Sequence, residues 1–517
     1  MADQKVDSTT KLALVAAVVL ALSAALIDSG MVAWVIGPLC LLLSFYVMSR
    51  VRLLYALLGV MFISLTIENR QEAPAAGKWQ SPFIHLGTLM MVHLNQMTGI
   101  GWMSFSGTDV MLIFLILLTF YRGMQGAKFD SARITVPKPL ITLAYLGLAG
   151  AAFIWLRGML RGGDMQKSMW QLERVTYLPI LFMLFQAALR TTQDYLTVGK
   201  VFVAAAIARS LLAIYIMNFA DLPPGEPPAW ATTHHDSMLF ACAIVILVSM
   251  VLHKAKPDAL KWLLLLAPVI LFAIIVNNRR TAWVQIPIVF VTVFFAMPNN
   301  AVKKKIKKVV LYSSPLTAAY IAVGWRSEAA VFKPVSSIRS VIEPAPDIST
   351  LTRDIENYCL AKTIASDPIM GLGYGHAFYQ IVQLPPMPHP LEPWLPHNSL
   401  LGLWFAAGFI GYTMVTLLWT AGVYFGVRAY RASSEPVDRA VALVCFGSVL
   451  IYMVQCYADL GLGVPTAVYM VAPVDRDRGT ARDQERCMAV QERQESAATR
   501  GRGARRARSG PELALDS

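Results

Sequence analysis

Residues 396–425, PHNSLLGLWFAAGFIGYTMVTLLWTAGVYF, decide the class of fold, because a polar start leads directly into a long apolar run. The apolar part, residues 403–425, is long enough to cross a hydrocarbon core of about 30 Å at about 1.5 Å per residue. Lipid offers the backbone no hydrogen-bond partner, so such a segment must be helical. The stretch therefore predicts a membrane-spanning helix that begins at a polar mouth.

Apolar runs of this kind recur along the chain of 517 residues. Hydrophobic residues make up 56% of the sequence and charged residues only 15%, which excludes an ordinary soluble globular protein. We predict an all-α, polytopic transmembrane helical bundle of about 12–14 spans, with one large periplasmic loop between late spans. The predicted spans are 12–27, 31–48, 53–67, 107–121, 139–156, 175–189, 201–218, 237–253, 259–276, 281–297, 309–325, 402–425 and 440–457, with a shortened candidate at 461–473.

Lysine and arginine residues predict the orientation of these spans. The densest cluster, KKKIKK at residues 303–308, marks the cytoplasmic side, whereas the connection at residues 221–236 contains neither lysine nor arginine. By alternation, the loop at residues 326–397 lies outside, in the periplasm of a Gram-negative cell. We therefore expect a multi-pass protein of the bacterial inner (cytoplasmic) membrane. The net charge of +13 mostly reflects cytoplasmic anchoring and requires no nucleic-acid partner.

The sequence divides into three regions. Residues 1–236 carry the N-terminal spans, in which residues 81–107 suit an interfacial or re-entrant element because this apolar run carries His85, His93, Asn95 and Gln96. Residues 237–457 form a second set of spans that includes the loop 326–397. Residues 474–517 are an arginine-rich tail, which we expect to be disordered. The abrupt change of composition is also what a shifted reading frame would produce, so the tail is given no function.

His397 is the candidate catalytic residue. An imidazole that opens a membrane span can simply reach the interface, and this is the usual role of such a histidine. Here Pro396 and the proline-rich run 385–393 stiffen its approach, and the glycines of residues 371–375 permit a tight backbone upstream. Since its pKa lies near neutral pH, the imidazole could accept a proton from an attacking hydroxyl. His376 and His389 are reserve candidates.

Four arginines are candidates for binding an anion. Arg279 and Arg280 are adjacent on the predicted outer face, against the usual charge bias, so they are either an interfacial anchor or a diphosphate site. Guanidinium groups suit the latter because they bind phosphate oxygens through two parallel hydrogen bonds. Arg209 lies deep in a span, where it needs a polar cavity or a carboxylate partner such as Asp221 or Asp236. Arg174 is a weaker candidate for the same cavity.

The sequence HHD at residues 234–236 resembles a metal-ligand cluster, but no second ligand set at helical spacing accompanies it. We therefore predict no metal and no cofactor. His234 and His235, together with Asn398, are instead predicted to form the polar rim of an outer cavity.

Three motifs give the chain a family resemblance: DPIMGLG at residues 367–373, HNSLL at 397–401 followed by GFIG at 408–411, and RRTAW at 279–283. With these motifs the sequence resembles the O-antigen ligase and polysaccharide polymerase superfamily of bacterial inner-membrane proteins. The resemblance covers roughly residues 237–457. The earlier spans are similar only in their general plan.

The resemblance implies metal-independent, inverting glycosyl transfer. The donor would be a glycan linked to undecaprenyl diphosphate, and the acceptor a sugar hydroxyl of another glycan or of lipid A-core. Carried over by motif, His397 is the expected base and Arg280 the expected diphosphate ligand. Arg209 resembles a second family arginine, although its Arg-x-x-x-Leu pattern ends here in Ala213. A repeat-unit polymerase is the alternative within the family. A lipid-linked glycan flippase or permease is the alternative of another class, and the sequence lacks the internal symmetry expected of one.

Overall fold

The computed structural model describes residues 7–27, 30–67, 87, 90–95, 99, 105–124, 138–219, 231–327, 329–343, 348–384, 393–462, 468 and 471. Over these residues the protein is all-helical. Its helices are α1 (Ser8–Ile27), α2 (Gly30–Arg50), α3 (Leu53–Thr66), α4 (Gly107–Met124), α5 (Lys138–Leu160), α6 (Met165–Ala188), α7 (Thr192–Phe219), α8 (His234–Leu252), α9 (Ala259–Asn277), α10 (Thr281–Ala296), α11 (Ala301–Gly324), α12 (Lys333–Ile342), α13 (Ile348–Ser366), α14 (Ser399–Ala432) and α15 (Pro436–Ala458).

The prediction of an all-helical, multi-pass membrane protein is confirmed for the part of the chain that the structure describes. Seven helices are long and apolar enough to cross a membrane, fewer than the predicted total of about 12–14. They are α4, α5, α7, α8, α9, α14 and α15. The other predicted spans coincide with helices that are shorter or less apolar. The predicted span at 461–473 and the tail 474–517 lie mostly or wholly outside the described residues, as does most of the predicted interfacial element at 81–107.

Three helices, α6, α7 and α11, begin well before the predicted spans, and in α6 and α11 a capping residue rather than hydropathy sets the start. Helix α6 begins at Met165, where Asp164 accepts a hydrogen bond from the Lys167 amide at 2.9 Å. Helix α11 begins at Ala301, where Asn300 accepts one from the Lys303 amide at 2.9 Å. Arg174 therefore lies inside a helix and not at the start of a span, and the lysine cluster lies within the first turns of α11.

Helix α8 lies at the centre of the bundle. In its most apolar stretch 78% of the residues are buried, against 28% in α9. It packs against α7, α9, α10 and α15, and α15 packs in turn against α14. Helix α14 also contacts α5 and α13, so the segment between α11 and α14 is tied to the bundle through α13. The first residues of α8 and α14 are thereby brought to the same side of the protein as the end of α15.

Residues 367–373, the glycine-containing motif, pack against α14 where that helix bends. Helix α14 is interrupted at Gly408, which has a φ of +57°, and the amides of Leu372 and Gly373 donate to the carbonyls of Phe405 and Ala406 at 2.9 and 2.8 Å. Gly373 has a φ of +89°, and a Cβ there would lie 2.3 Å from the Cα of Gly158 in α5. Only glycine fits so close a backbone contact. These glycines fix the course of the chain that leads to residue 397.

The acidic residue of the same motif is tied to α5. The carboxylate of Asp367 accepts hydrogen bonds from Arg157 at 2.5 Å and from Arg161 at 2.9 Å. Arg157 also donates to the Gly371 carbonyl at 2.6 Å. Residues 367–373 therefore anchor the chain where it meets α5 and α14, and the Asp367 carboxylate is engaged in this anchoring.

Candidate active site at the start of α14

His397 immediately precedes α14 and contacts a buried carboxylate. Its Nδ1 lies 3.1 Å from Oε2 of Glu356, and its amide donates to both carboxylate oxygens at 3.0 and 3.1 Å. The Glu356 side chain is only 1% exposed, whereas that of His397 is 20% exposed. With Nδ1–H donated to the carboxylate, Nε2 keeps its lone pair. The pair therefore presents a basic nitrogen from an oriented imidazole.

Glu356 comes from the amphipathic helix α13. The buried face of this helix consists of Thr352, Glu356, Cys359, Leu360 and Thr363, which recur at helical spacing. A buried carboxylate is costly unless hydrogen bonds compensate for the lost water, and here the amide and ring of His397 do so. Helix α13 thus places Glu356 beside the first turn of α14.

A second carboxylate, Asp459, faces the same region from the end of α15. It is 2% exposed and pairs with Nδ1 of His234, at the start of α8. Arg353 of α13 reaches the same carboxylate at 3.5 Å. Burial raises the pKa of Asp459, but the charge and hydrogen bond of His234 outweigh it and hold the pKa well below its usual range. Asp459 is therefore a fixed negative charge near the two histidines.

Hydrogen bonds connect the backbone after α15 to the start of α14. The Leu460 amide donates to the carbonyl of His397 at 2.7 Å, and the Leu462 amide donates to the Ser399 hydroxyl at 3.2 Å. Leu460 has a φ of +42°, a conformation that a leucine adopts only under constraint. The end of α15 is thereby bound to the start of α14.

The charges around His397 shift its own pKa. Burial lowers the pKa of the imidazole, but the hydrogen bond and the negative charge of Glu356 raise it, and the net pKa lies above its ordinary value. Asp459 raises it further and Arg353 opposes the change. Glu356 therefore stabilises the imidazolium that would form when His397 accepts a proton.

Arg209 is held by a structural partner. It donates from Nε to Oδ1 of Asp236 at 2.8 Å and from one terminal nitrogen to Oδ2 at 2.5 Å, and the two side chains are 4% and 5% exposed. Asp236 also closes a capping box with Thr233 at the start of α8. Of the two partners predicted from the sequence, Asp236 is the observed one, and Asp221 lies outside the described residues.

The two adjacent arginines point to different surroundings. Arg279 is half-buried, and burial lowers its pKa to about 10, with Asp459 opposing the change and Arg353 adding to it. It remains charged at neutral pH. Arg280 is exposed and approaches the Ser340 carbonyl of α12 at 3.5 Å. The structure thus places Arg279 in the electrostatic neighbourhood of Asp459, whereas Arg280 contacts the backbone of α12.

The remaining residues predicted for the rim occupy distinct positions. Asn398 caps α14, with its side-chain oxygen accepting from the Leu401 amide at 3.2 Å, so the HNSLL motif contains a helix cap. Arg174 lines a cavity of about 30 Å³ together with Pro396 and Ser399, which is room for about one water molecule. His235 is buried in the first turn of α8.

Of the two reserve candidates for the base, His376 has its Nε2 3.2 Å from the Gly158 carbonyl, and His389 lies outside the described residues.

A separate cluster could hold a metal ion. His93, Asp109 and Glu173 place one ligand atom each within 4.8 Å of one another. Nε2 of His93 lies 2.6 Å from Glu173, and the Tyr177 hydroxyl donates to Asp109 at 2.5 Å, so the same groups also satisfy one another without an ion. The sequence did not signal this cluster, because its members come from three separate segments.

This cluster lies apart from the site at His397. Gln171 of α6 binds the backbone of the loop before α14, donating to the Trp394 carbonyl at 2.8 Å. Glu173 is two residues further along α6 and therefore about 200° around the helix. The two polar groups thus face opposite sides of α6.

Three charged residues of the candidate site were missed by sequence reasoning, namely Arg353, Glu356 and Asp459. A signal for the first two existed, since they stand three residues apart in a helical segment of the polar loop. Asp459 offered no signal, because only the fold brings the end of α15 next to α8 and α13.

No protein-family model matches the chain, and no curated protein matches it. The assignment of a function therefore rests on the motifs and on the geometry of the site.

Proposed function

We propose that the protein is a membrane glycosyltransferase that moves a glycan from undecaprenyl diphosphate onto an acceptor sugar hydroxyl. The motif resemblance to the O-antigen ligase and polysaccharide polymerase superfamily suggests the reaction. One geometric observation carries the proposal: the buried carboxylate of Glu356 orients His397 through Nδ1, does not engage Nε2, and leaves the imidazole side chain 20% exposed. This is the arrangement that a general base requires.

In the proposed reaction the acceptor hydroxyl gives its proton to Nε2 of His397. The hydroxyl oxygen forms a bond to the anomeric carbon as the bond from that carbon to the diphosphate oxygen breaks. The bonding electrons leave with the lipid diphosphate, and the configuration at the anomeric carbon is inverted. Glu356 stabilises the imidazolium that results, without taking the proton itself.

The leaving diphosphate requires positive charge near the site. We assign this role first to Arg279, because it is half-buried and lies in the field of Asp459 and Arg353. Arg353 is the second candidate, since its guanidinium is partly exposed and its contact with Asp459 is long. Arg209 is engaged in a sealed ion pair with Asp236, so in this proposal it supports the bundle and does not contact phosphate.

The proposal includes a location. A lipid-linked glycan donor reaches the outer leaflet of the bacterial inner membrane, and the site would therefore face the periplasm, with the lysine cluster of α11 on the cytoplasmic side. The distribution of lysine and arginine supports this orientation.

The direct test is transfer in vitro with purified protein in lipid nanodiscs, a lipid-linked donor and an acceptor glycan. His397→Ala should lose about 10²–10⁴ in rate with unchanged expression and monodispersity, since this is what general-base assistance contributes. Glu356→Gln should lose less and should leave donor affinity unchanged. His376→Ala is the matched control, a histidine of the same loop that contacts a backbone carbonyl of α5. Full activity of His397→Ala would refute the assignment.

A deletion strain separates the branches of the family. Full-length polymer accumulating on undecaprenyl diphosphate indicates a ligase, and a single accumulated repeat unit indicates a polymerase. Accumulation in the inner leaflet alone would point to a flippase and would contradict the proposed chemistry.

A further inference from the structure

A cavity of about 850 Å³ lies between α7, α8, α9 and α15, and the proposed reaction does not use it. Its walls are mostly apolar side chains. Representative members are Phe202, Ile207 and Leu211 of α7, Ile246 of α8, Leu266 of α9 and Val444 of α15. In a soluble protein such a space would be a ligand pocket, but here the walls are helices that are apolar enough to span a membrane.

The cavity is elongated along α7. Its lining runs from Tyr195 to Leu211, which at about 1.5 Å per residue corresponds to roughly 24 Å. Half of a hydrocarbon core is about 15 Å thick, so the groove is deeper than one leaflet. Ala204 and Ala208, one helical turn apart, keep its floor open because their side chains are small. The shape suits an extended hydrocarbon chain.

One end of the groove is polar and positively charged. Lys200 of α7 and Lys256, just before α9, both line it, and Asp258 lies beside them. The Asp258 carboxylate accepts a hydrogen bond from the Trp262 indole at 2.8 Å. Within the described part of the chain, neither lysine has a carboxylate within ion-pair distance. Two ammonium groups and a tryptophan at the end of an apolar groove are typical of the depth at which lipid headgroups lie.

We propose that this groove binds one anionic phospholipid, with an acyl chain along α7 and the phosphate between Lys200 and Lys256. Charge complementarity favours an anionic headgroup, because the two lysines outnumber the one carboxylate among the residues that line the groove, and that carboxylate is hydrogen-bonded to Trp262. The polar end lies near the start of α7 and the end of α8. The lipid-linked donor would bind at the opposite end of α8, where His234 pairs with Asp459, so this site is independent of the proposed function.

The test measures lipid retention by native mass spectrometry of the delipidated full-length protein, titrated with phosphatidylglycerol or phosphatidylcholine. The wild type should prefer phosphatidylglycerol on the order of tenfold or more, since each lysine near an anionic headgroup contributes to binding. The double variant Lys200→Gln/Lys256→Gln should lose this preference. The double variant Lys304→Gln/Lys305→Gln removes the same charge from exposed positions of α11 and should keep it.

A second variant tests the groove itself. Ala208→Trp fills the space next to Leu211 and should weaken retention of phosphatidylglycerol, and photoactivatable phosphatidylglycerol should crosslink to α7 or α15 in the wild type but not in this variant. Three results would each overturn the proposal: equal affinity of the wild type for the two lipids, an unchanged preference in the groove-lysine variant, or displacement of phosphatidylglycerol by an equimolar polyprenyl diphosphate. Because the two lysines are at the polar end and outside the packed core, their variant remains informative even if the tryptophan variant misfolds.

Discussion

The Arg209–Asp236 pair allows a structural role to be separated from substrate binding. Asp236→Asn keeps the size of the side chain and an oxygen for the Thr233 amide, but it removes the charge that balances Arg209. Arg209→Met removes the guanidinium and fills most of its volume. The double variant Arg209→Met/Asp236→Asn removes both charges at once. If the pair is structural, the double variant should be more stable than either single variant.

The geometry sets the expected size of these effects. Both side chains are at most 5% exposed, and two hydrogen bonds of 2.8 and 2.5 Å join them. Removing one partner of such a pair leaves a buried charge and costs about 3–5 kcal/mol. Removing both partners leaves no buried charge, so the cost is mainly that of the two lost hydrogen bonds, about 1 kcal/mol each. The double variant should therefore recover about 1–3 kcal/mol relative to Asp236→Asn.

The assay is the apparent unfolding temperature of each purified variant in the same detergent and at one scan rate, because large membrane proteins usually unfold irreversibly. The expected order is wild type, then the double variant, then the single variants. If all the variants unfold at the temperature of the wild type, the claim that one unpaired partner leaves a costly buried charge is refuted. A double variant less stable than both single variants would refute the compensation between the two charges.

The same variants report on function. If Arg209 only supports the bundle, the folded double variant should retain glycan transfer and donor affinity. If Arg209 instead binds the diphosphate, the double variant should fold and yet lose donor binding. The second result would reassign Arg209 to the site and leave the role of His397 unchanged.

Three further predictions concern the site. Transfer should rise with pH as His397 loses its proton, and the midpoint should lie above the ordinary histidine pKa. Glu356→Gln should move this midpoint to lower pH. A pH–rate profile that is the same in both proteins would contradict the pairing of His397 with Glu356. Since protonation of His397 favours the folded state, its contribution to stability should be present at low pH and lost as pH rises through the raised pKa. Arg279→Ala should weaken donor binding by about tenfold or more and Arg279→Lys by less, whereas Arg280→Ala should have a small effect. Isothermal titration with the lipid diphosphate would measure the affinity of all three variants. Equal binding by the wild type and Arg279→Ala would exclude Arg279 as a ligand of the diphosphate. Transfer should persist in the presence of EDTA because the proposed chemistry uses no metal, and loss of activity that a divalent ion restores would contradict it.

Hydropathy predicted the helices well because burial in lipid imposes a strong rule on composition. Every predicted span at residues 12–325 and 402–457 coincides with an observed helix. The starts of α6 and α11 were harder to predict, since Asp164 and Asn300 extend these helices into polar sequence. Caps act through one side chain, and a window average over many residues does not detect them.

The site could be predicted only in part, for a different reason. His397 was identifiable because a titratable side chain next to an apolar run is conspicuous. Its partner Glu356 was not, because the contact joins residues 41 positions apart and depends on how α13 packs against α14. Asp459 depends in the same way on the turn after α15. Local patterns reveal which residues are unusual, whereas their pairing is a property of the packing.

Pairing of charges by itself does not mark a functional residue in a membrane protein. The apolar interior requires every buried charge to find a partner, so ion pairs are expected wherever polar side chains enter the bundle. The exposed fraction of the side chains distinguishes the Arg209–Asp236 pair from the Glu356–His397 pair. Arg209 and Asp236 enclose one another and leave almost no surface, whereas Glu356 is enclosed and His397 remains 20% exposed. A carboxylate that is sealed on the inside and an imidazole that is open on the outside can transfer a proton to and from a substrate, which a fully sealed pair cannot do.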